Sequence, residues 1–212
     1  MTDRVTESLR SSILSGRLPA GREFSLRHTA AEFGVSFIPV REALRTLEAE
    51  GLLVIRPGRS AIVAPLSPGE LVAAFRLRRQ IEPMRAALVA GQHQPGELEQ
   101  LETLLRTCAD GGAGPDQHAR AHQDLHAQLL RLDTTAMDGR IFTILQQVTS
   151  RYVRLGMEVI GTPPDQHRAL GNSHRDLLAA LRTGDPETAR VATLAHLDHI
   201  EQVATAAVLA RR

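Results

Sequence analysis

Nine histidines and twenty-five arginines, with no lysine, carry most of the chemistry this chain of 212 residues can do. His118, His122 and His126 are spaced four apart, so on a helix they form one stripe. His126 shares its inward face with Leu129. His174 shares a stripe with Leu170, Leu177 and Leu181, and His196 shares one with Ile200 and Val203, with His199 a turn away. Three helices would thus each set an imidazole on an apolar face. Neutral imidazole is the commonest transition-metal ligand, and the interiors of helical bundles host such sites. The competing reading is that each is a core histidine satisfied by an ordinary hydrogen bond. Neither the His-Glu-x-x-His pattern of a zinc hydrolase nor a Ser/His/Asp set nor a phosphate loop is present.

A second group lies between Ser25 and Val63. Arg27 starts one short helical pattern, and Ser36 and Arg41 flank the start of the next. A recognition helix reads bases with its N-terminal residues, and arginine can bond guanine O6 and N7 bidentately. Arg45, one turn beyond Arg41, can reach a phosphate. Arg59, beside Gly58, can lie along the DNA backbone or in the minor groove. For Arg41 the alternative is an i,i+4 helix pair or a solvated face.

The elements that must position these residues follow from periodicity. Val5, Leu9, Ile13 and Leu14 mark an amphipathic first helix that stops at Gly16. Pro19-Ala20-Gly21 makes a turn, and Leu26 begins a helix closed by Ala30, Ala31 and Phe33. Gly34 is its natural stop, because glycine accepts positive φ. Ser36 can cap the next helix, whose interior is Val40, Ala43, Leu44 and Leu47. Two β-runs follow, Leu52 to Ile55 and Ala61 to Val63, with Pro57-Gly58 between them. This reads as a helix-turn-helix with a wing, the alternative being an ordinary short helix pair. Pro65 to Gly69 breaks the pattern. Ser67-Pro68-Gly69-Glu70 then has a cap, a proline at the first helical position and an acid placed for a capping box. Breaks at 94–96, 111–115, 133–135, 161–164 and 184–186 divide the remainder into about six helices, and Pro83 should kink the first. The chain therefore divides into residues 1–64, a linker at 65–69, and a helical domain at 70–212.

Composition agrees with a mainly α protein. Hydrophobic residues make up 42%, but aromatics only 3% and tryptophan none, so the core must be aliphatic and suits helix-on-helix packing. The single Cys108 excludes an intrachain disulfide and fits a reducing compartment. No apolar run approaches the roughly 20 residues that span a bilayer, and the N-terminus lacks a signal-peptide core. A cytoplasmic protein without a membrane partner is expected. Net charge is +1; residues 1–64 carry nine Arg against seven Asp and Glu, and the rest sixteen against seventeen, an asymmetry of the sign expected for a DNA-binding first half. The arginine-only bias is read as coding bias from a GC-rich genome in preference to any function.

Several stretches now bear comparison with a known family. Ile13-Leu14-Ser15-Gly16-Arg17-Leu18-Pro19-Ala20-Gly21, Gly34-Val35-Ser36, Pro39-Val40-Arg41-Glu42-Ala43-Leu44, Leu47 and Glu50-Gly51-Leu52 resemble the winged-helix domain of GntR-family bacterial transcription regulators. The resemblance places Arg27, Ser36 and Arg41 on DNA-contacting positions and Gly58 at the wing tip. One departure stands out: the family commonly has Arg after the Ser, then a small polar residue, where this chain has Phe37 and Ile38. That removes a usual contact and implies an atypical operator.

The second half resembles the ligand-binding domain of the FadR subfamily, known as FCD. Arg78-x-x-Ile81-Glu82 with Ala86-Ala87 is similar to its first-helix signature, and Asp124-Leu125-His126, Ser173-His174-Arg175-Asp176-Leu177-Leu178 and Ala195-His196-Leu197 are similar to its three metal-histidine segments. The resemblance implies a divalent metal on these histidines plus an Asp four residues before the first. Here that position is His122, which gives an antiparallel helical bundle holding His122, His126, His174 and His196. Four neutral donors suit Zn or Ni over Mn or Mg; Asp124, on the other side of the helix, is a poor substitute. The resemblance further implies a small carboxylate effector on open metal positions, with Arg78 first and Arg154 second as candidates for a charge-assisted bond to it. For each of these arginines the alternative is an exterior salt bridge. The function so read is a homodimeric repressor on a pseudo-palindromic operator, not an enzyme. Two alternatives stay open: a metal-free regulator with an apolar or acyl effector, and a metal-dependent enzyme.

Overall fold

A computed structural model describes residues 1–56, 60–109, 115–133, 135–160 and 164–209. Gly58, Arg59 and the side chains of His118 and Leu170 lie outside the described residues. The chain forms two compact units, Met1–Ser67 and Pro68–Arg212.

In the first unit, α1 (Thr2–Leu14) buries Val5, Leu9, Ile13 and Leu14, the stripe its periodicity requires. Strand β1 (Glu23–Ser25) leads into α2 (Leu26–Phe33) and α3 (Phe37–Ala49), and β2 (Leu53–Arg56) and β3 (Ser60–Val63) form the wing. Gly34 ends α2 in the left-handed conformation at φ 62°, its N–H donating to the carbonyls of Ala30 and Ala31. The sheet has strand order β1-β3-β2, both pairings antiparallel, with Phe24 opposite Ala61 and Ile55 opposite Ala61 on the other side. Strand β1 has no counterpart in the sequence reading. Val40, Ala43, Leu44 and Leu47 of α3 pack with α1, Leu52, Leu53, Ala61 and Val63 into one aliphatic core. The opposite face of α3 is left to solvent.

The second unit is all helix among the described residues: α4 (Pro68–Val89), α5 (Pro95–Ala109), α6 (Pro115–Leu129), α7 (Met137–Ile160), α8 (Pro164–Arg182) and α9 (Pro186–Leu209). Five of the six begin on proline, whose missing N–H costs nothing in a first turn and whose φ is already helical. Asp185 caps α9 by accepting from the Thr188 N–H at 2.8 Å. Helix α4 continues as one element through Pro83. Helix α9 packs against α4, α7 and α8. Its contact with α7 is close enough that a Cβ on Gly156 would stand 1.9 Å from the Val203 carbonyl oxygen, so only glycine fits there. Among the described residues, no helix is long and apolar enough to cross a membrane.

Candidate metal centre and nucleic-acid interface

Helices α6, α8 and α9 bring four imidazoles together. His122 and His126 are one turn apart on α6, His174 comes from α8 and His196 from α9. The ligating atoms of His122, His126 and His174 lie within 4.8 Å of one another. His126 Nε2 and His174 Nε2 are 3.0 Å apart. Two nitrogens on one tetrahedral ion with bonds of about 2.0–2.1 Å would be separated by roughly 3.3 Å. His196 closes the group by ring contact, its centroid 4.5 Å from that of His174 and 5.1 Å from that of His126.

Burial fixes the protonation state. His126 and His196 are held well below the ordinary imidazole pKa, first by desolvation and then by neighbouring histidines and the Arg78 guanidinium. Neutral imidazoles keep one lone pair each, which is what a metal ligand needs. His196 Nε2 is buried without a hydrogen-bond partner among the described residues. Its Nδ1 stands 2.6 Å from Ser173 Oγ. A hydroxyl that accepts from Nδ1–H leaves the Nε2 lone pair facing the cluster. These residues therefore fit a divalent ion by donor type, neutrality and the orphaned nitrogen. Ser173 was not singled out from sequence, although its position directly before His174 puts it on the helix that faces α9.

Asp124 is exposed. Its charge is felt instead by Cys108, whose thiol burial and then Asp124 push up to about 11. The acid on α6 thus faces away from the imidazoles, as its two-residue offset from His126 requires.

The two arginine candidates part company. Arg78 is 3% exposed and forms a bidentate pair with Glu82, itself 1% exposed, while its Nη1 donates to Thr149 Oγ1 at 2.9 Å. The pair is interior, so the exterior salt bridge weighed for Arg78 is not what this residue makes. Its effect on His126 and His196 puts its charge beside the histidine cluster. Arg154 sits half-buried on α7. Desolvation is the first cause of the lowered Arg151 pKa, and Arg154 adds to that lowering.

In the first unit, the open face of α3 carries Phe37, Arg41 and Arg45 at i, i+4 and i+8, with Ile38 and Glu42 beside them. Arg41 is exposed and has no hydrogen bond or ion pair among the described residues, which removes the helix-pair alternative within them. Arg45 lies 3.4 Å from Glu42, both well exposed. Arg27 is exposed at the start of α2. Ser36 occupies the N-cap of α3 with extended backbone, but its side chain makes no capping bond. The reason is one of position. A serine cap usually accepts from the third helical N–H, as Ser25 does from His28 at 3.1 Å; in α3 that residue is Pro39, which has none.

The family models divide the chain along the same lines. Residues 1–63 match the model of bacterial regulatory proteins of the gntR family, and residues 73–199 match the FCD domain. The chain belongs to the GntR family, with an FCD domain. A probable D-xylose utilization operon transcriptional repressor of Paenarthrobacter nicotinovorans is 29% identical over 199 residues, covering 93% of this chain and 85% of that protein. The regulator McbR of Escherichia coli (strain K12) is 27% identical over 200 residues, covering 90% of this chain and 86% of its own. The solved structure of E. coli McbR/YncC shares the fold at a TM-score of 0.82 and 22% identity, covering 100% of this chain and 98% of that one. This GntR-family protein is a DNA-binding transcriptional regulator.

Proposed function

We propose that this regulator is a homodimeric repressor that reads a pseudo-palindromic operator with residues 1–64 and answers, across the linker at 65–69, to a small organic acid held at a metal in residues 70–212. The gathering of four imidazoles from three helices, three of them buried and His122 half-buried, carries the proposal. A histidine kept only for packing needs one partner for each ring nitrogen, and hydrophobic surroundings for the rest. These face one another, and one turns an unpartnered Nε2 inward. Four neutral nitrogen donors favour zinc or nickel over the harder ions.

A divalent ion on His122, His126, His174 and His196 would supply open coordination positions to a carboxylate. Arg78 would add positive potential there, with its guanidinium held in place by Glu82 and Thr149. Arg154 is the second candidate for the effector. The repressor reading draws on the Paenarthrobacter relative, which is named as one. The dimer reading draws on exposed apolar side chains at helical spacing, Leu77, Met84 and Leu88 on α4 and Met137, Ile141 and Ile144 on α7. On the DNA side, Arg41, Arg27 and Ser36 offer donors without partners among the described residues, Arg45 offers a phosphate contact, and the family resemblance adds Gly58, with Arg59 beside it in the sequence, as further candidates for DNA contact. For the effector to act, it must bind one arrangement of the two winged helices better than another.

Elemental analysis of tag-free protein after incubation with zinc or nickel tests the central claim. About one metal per chain is expected, lost in a His126→Ala, His174→Ala double variant. Less than a tenth of a metal per chain would remove the site and return the histidines to the core.

A further inference from the structure

The first turn of α3 presents two large apolar side chains to solvent. Phe37 is 51% exposed and Ile38 is 72% exposed, on a helix whose inward-facing Val40, Ala43, Leu44 and Leu47 are buried. They are not spill-over from the core. Phe37 heads the stripe that continues through Arg41 and Arg45, and Ile38 lies directly beside it. The stripe therefore begins with hydrocarbon where the rest of it offers cations.

We propose that Phe37 and Ile38 read thymine, each docking on a 5-methyl group in the major groove one or two base pairs from the base bonded by Arg41. The inference rests on the reading of α3 as the recognition helix. Its chemistry follows from what a major groove displays. Thymine is the only standard base with an apolar group at that edge, and aromatic or aliphatic side chains are its matching contact. Neither side chain can bond to a phosphate, and neither can satisfy the donors and acceptors of guanine, cytosine or adenine. Placing them against those bases would strand polar edges, whereas placing them on thymine removes apolar surface from water on both sides. The N-terminal position on the helix is where base edges are reached. The cations at Arg41 and Arg45 bring the helix to the groove, and the hydrocarbon then selects where along it the helix settles.

The test begins by selecting binding sites from a random duplex library with the full-length protein. In the selected half-site, each thymine is then replaced by deoxyuridine, which keeps every hydrogen-bonding group and loses only the methyl. Wild-type protein should lose affinity by about four-fold for each contacted methyl, the value that follows from burying one carbon. Phe37→Ala and Ile38→Ala should bind the thymine site more weakly and discriminate thymine from uracil by less than two-fold. Phe37→Arg should shift the preferred base from thymine to guanine. Equal binding of the thymine and uracil duplexes by wild type at every position would overturn the proposal. So would a double alanine variant that changes the oligomeric state while leaving thymine-over-uracil discrimination intact, since the pair would then be a protein contact. A selection that enriches no sequence would overturn the reading of α3 itself, and is distinguishable because no half-site exists to modify.

Discussion

The proposal that Arg41 reads a base rests on the absence of competition for its guanidinium. Its neighbour Arg45 already has Glu42 at 3.4 Å, whereas Arg41 meets no acid or carbonyl among the described residues. A guanidinium without a partner gives up only water when it binds a guanine edge, so Arg41→Ala should weaken operator binding by roughly 1–3 kcal/mol and relax preference at one position. Binding measured across a set of single-base operator variants distinguishes this from a uniform loss, which would make Arg41 a phosphate contact. Ser173 acts at the other end of the chain through a different residue. Its hydroxyl stands 2.6 Å from His196 Nδ1, and by accepting from Nδ1–H it would leave the Nε2 lone pair free for a metal. Removing such a partner typically costs a ten- to hundredfold loss of metal affinity. Ser173→Ala should show that loss in a competition titration against a chromophoric chelator, with Ser173→Thr restoring most of it. Unchanged affinity in the alanine variant would mean that His196 is not a ligand.

Among the helices, the contact between α7 and α9 sets the tightest geometric demand. A Cβ at Gly156 would meet the Val203 carbonyl oxygen at 1.9 Å and its carbon at 2.8 Å, and both belong to a helix backbone that cannot rotate aside. Alanine would gain up to about 1 kcal/mol in helix propensity, but forcing two packed helices apart costs about 1–3 kcal/mol or more. Gly156→Ala should therefore lower the urea midpoint despite the better helix former, and a midpoint equal to or above wild type would show that α7 can shift freely. Nothing near Gly156 in sequence announces this, because Val203 is far along the chain. The same division runs through the whole fold. Helix starts were legible wherever proline or a small polar residue punctuates the chain, since those signals are local. Strand β1 was not: three residues acquire strand character only by pairing with β3, a tertiary event. Ser36 was legible as a helix boundary but misleading as a capping bond, and Pro39, three residues on, holds the reason in plain view. The histidine stripes lie on α6, α8 and α9, which the structure brings together, but the interior Arg78–Glu82–Thr149 set needed the packing of α4 on α7 to appear.

Across the whole molecule, the two units distribute charge differently, and pH acts on them unequally. The first unit leaves Arg27, Arg41 and Arg45 in solvent and pairs Arg10 with Glu50. The second encloses His126 and His196, both kept neutral by burial first and then by the repulsion of their neighbours and Arg78. In the unfolded chain these imidazoles return to their ordinary pKa of about 6.5. Above that value both states hold neutral rings, and the native state keeps its full stability. Below it the unfolded chain takes up protons that the native interior refuses, so stability falls as pH drops from about 6.5 towards the depressed native values. Linkage sets the slope at up to about 1.4 kcal/mol per pH unit for each such imidazole. Chelator-treated full-length protein should accordingly show a urea midpoint that is nearly flat from pH 8 to 7 and falls steeply from pH 6.5 to 5. His126→Gln, His196→Gln should flatten the acid limb, because glutamine has no proton to gain on unfolding. An acid limb just as steep in that double variant would assign the loss to other groups and would mean that the two rings are not held neutral in the native bundle.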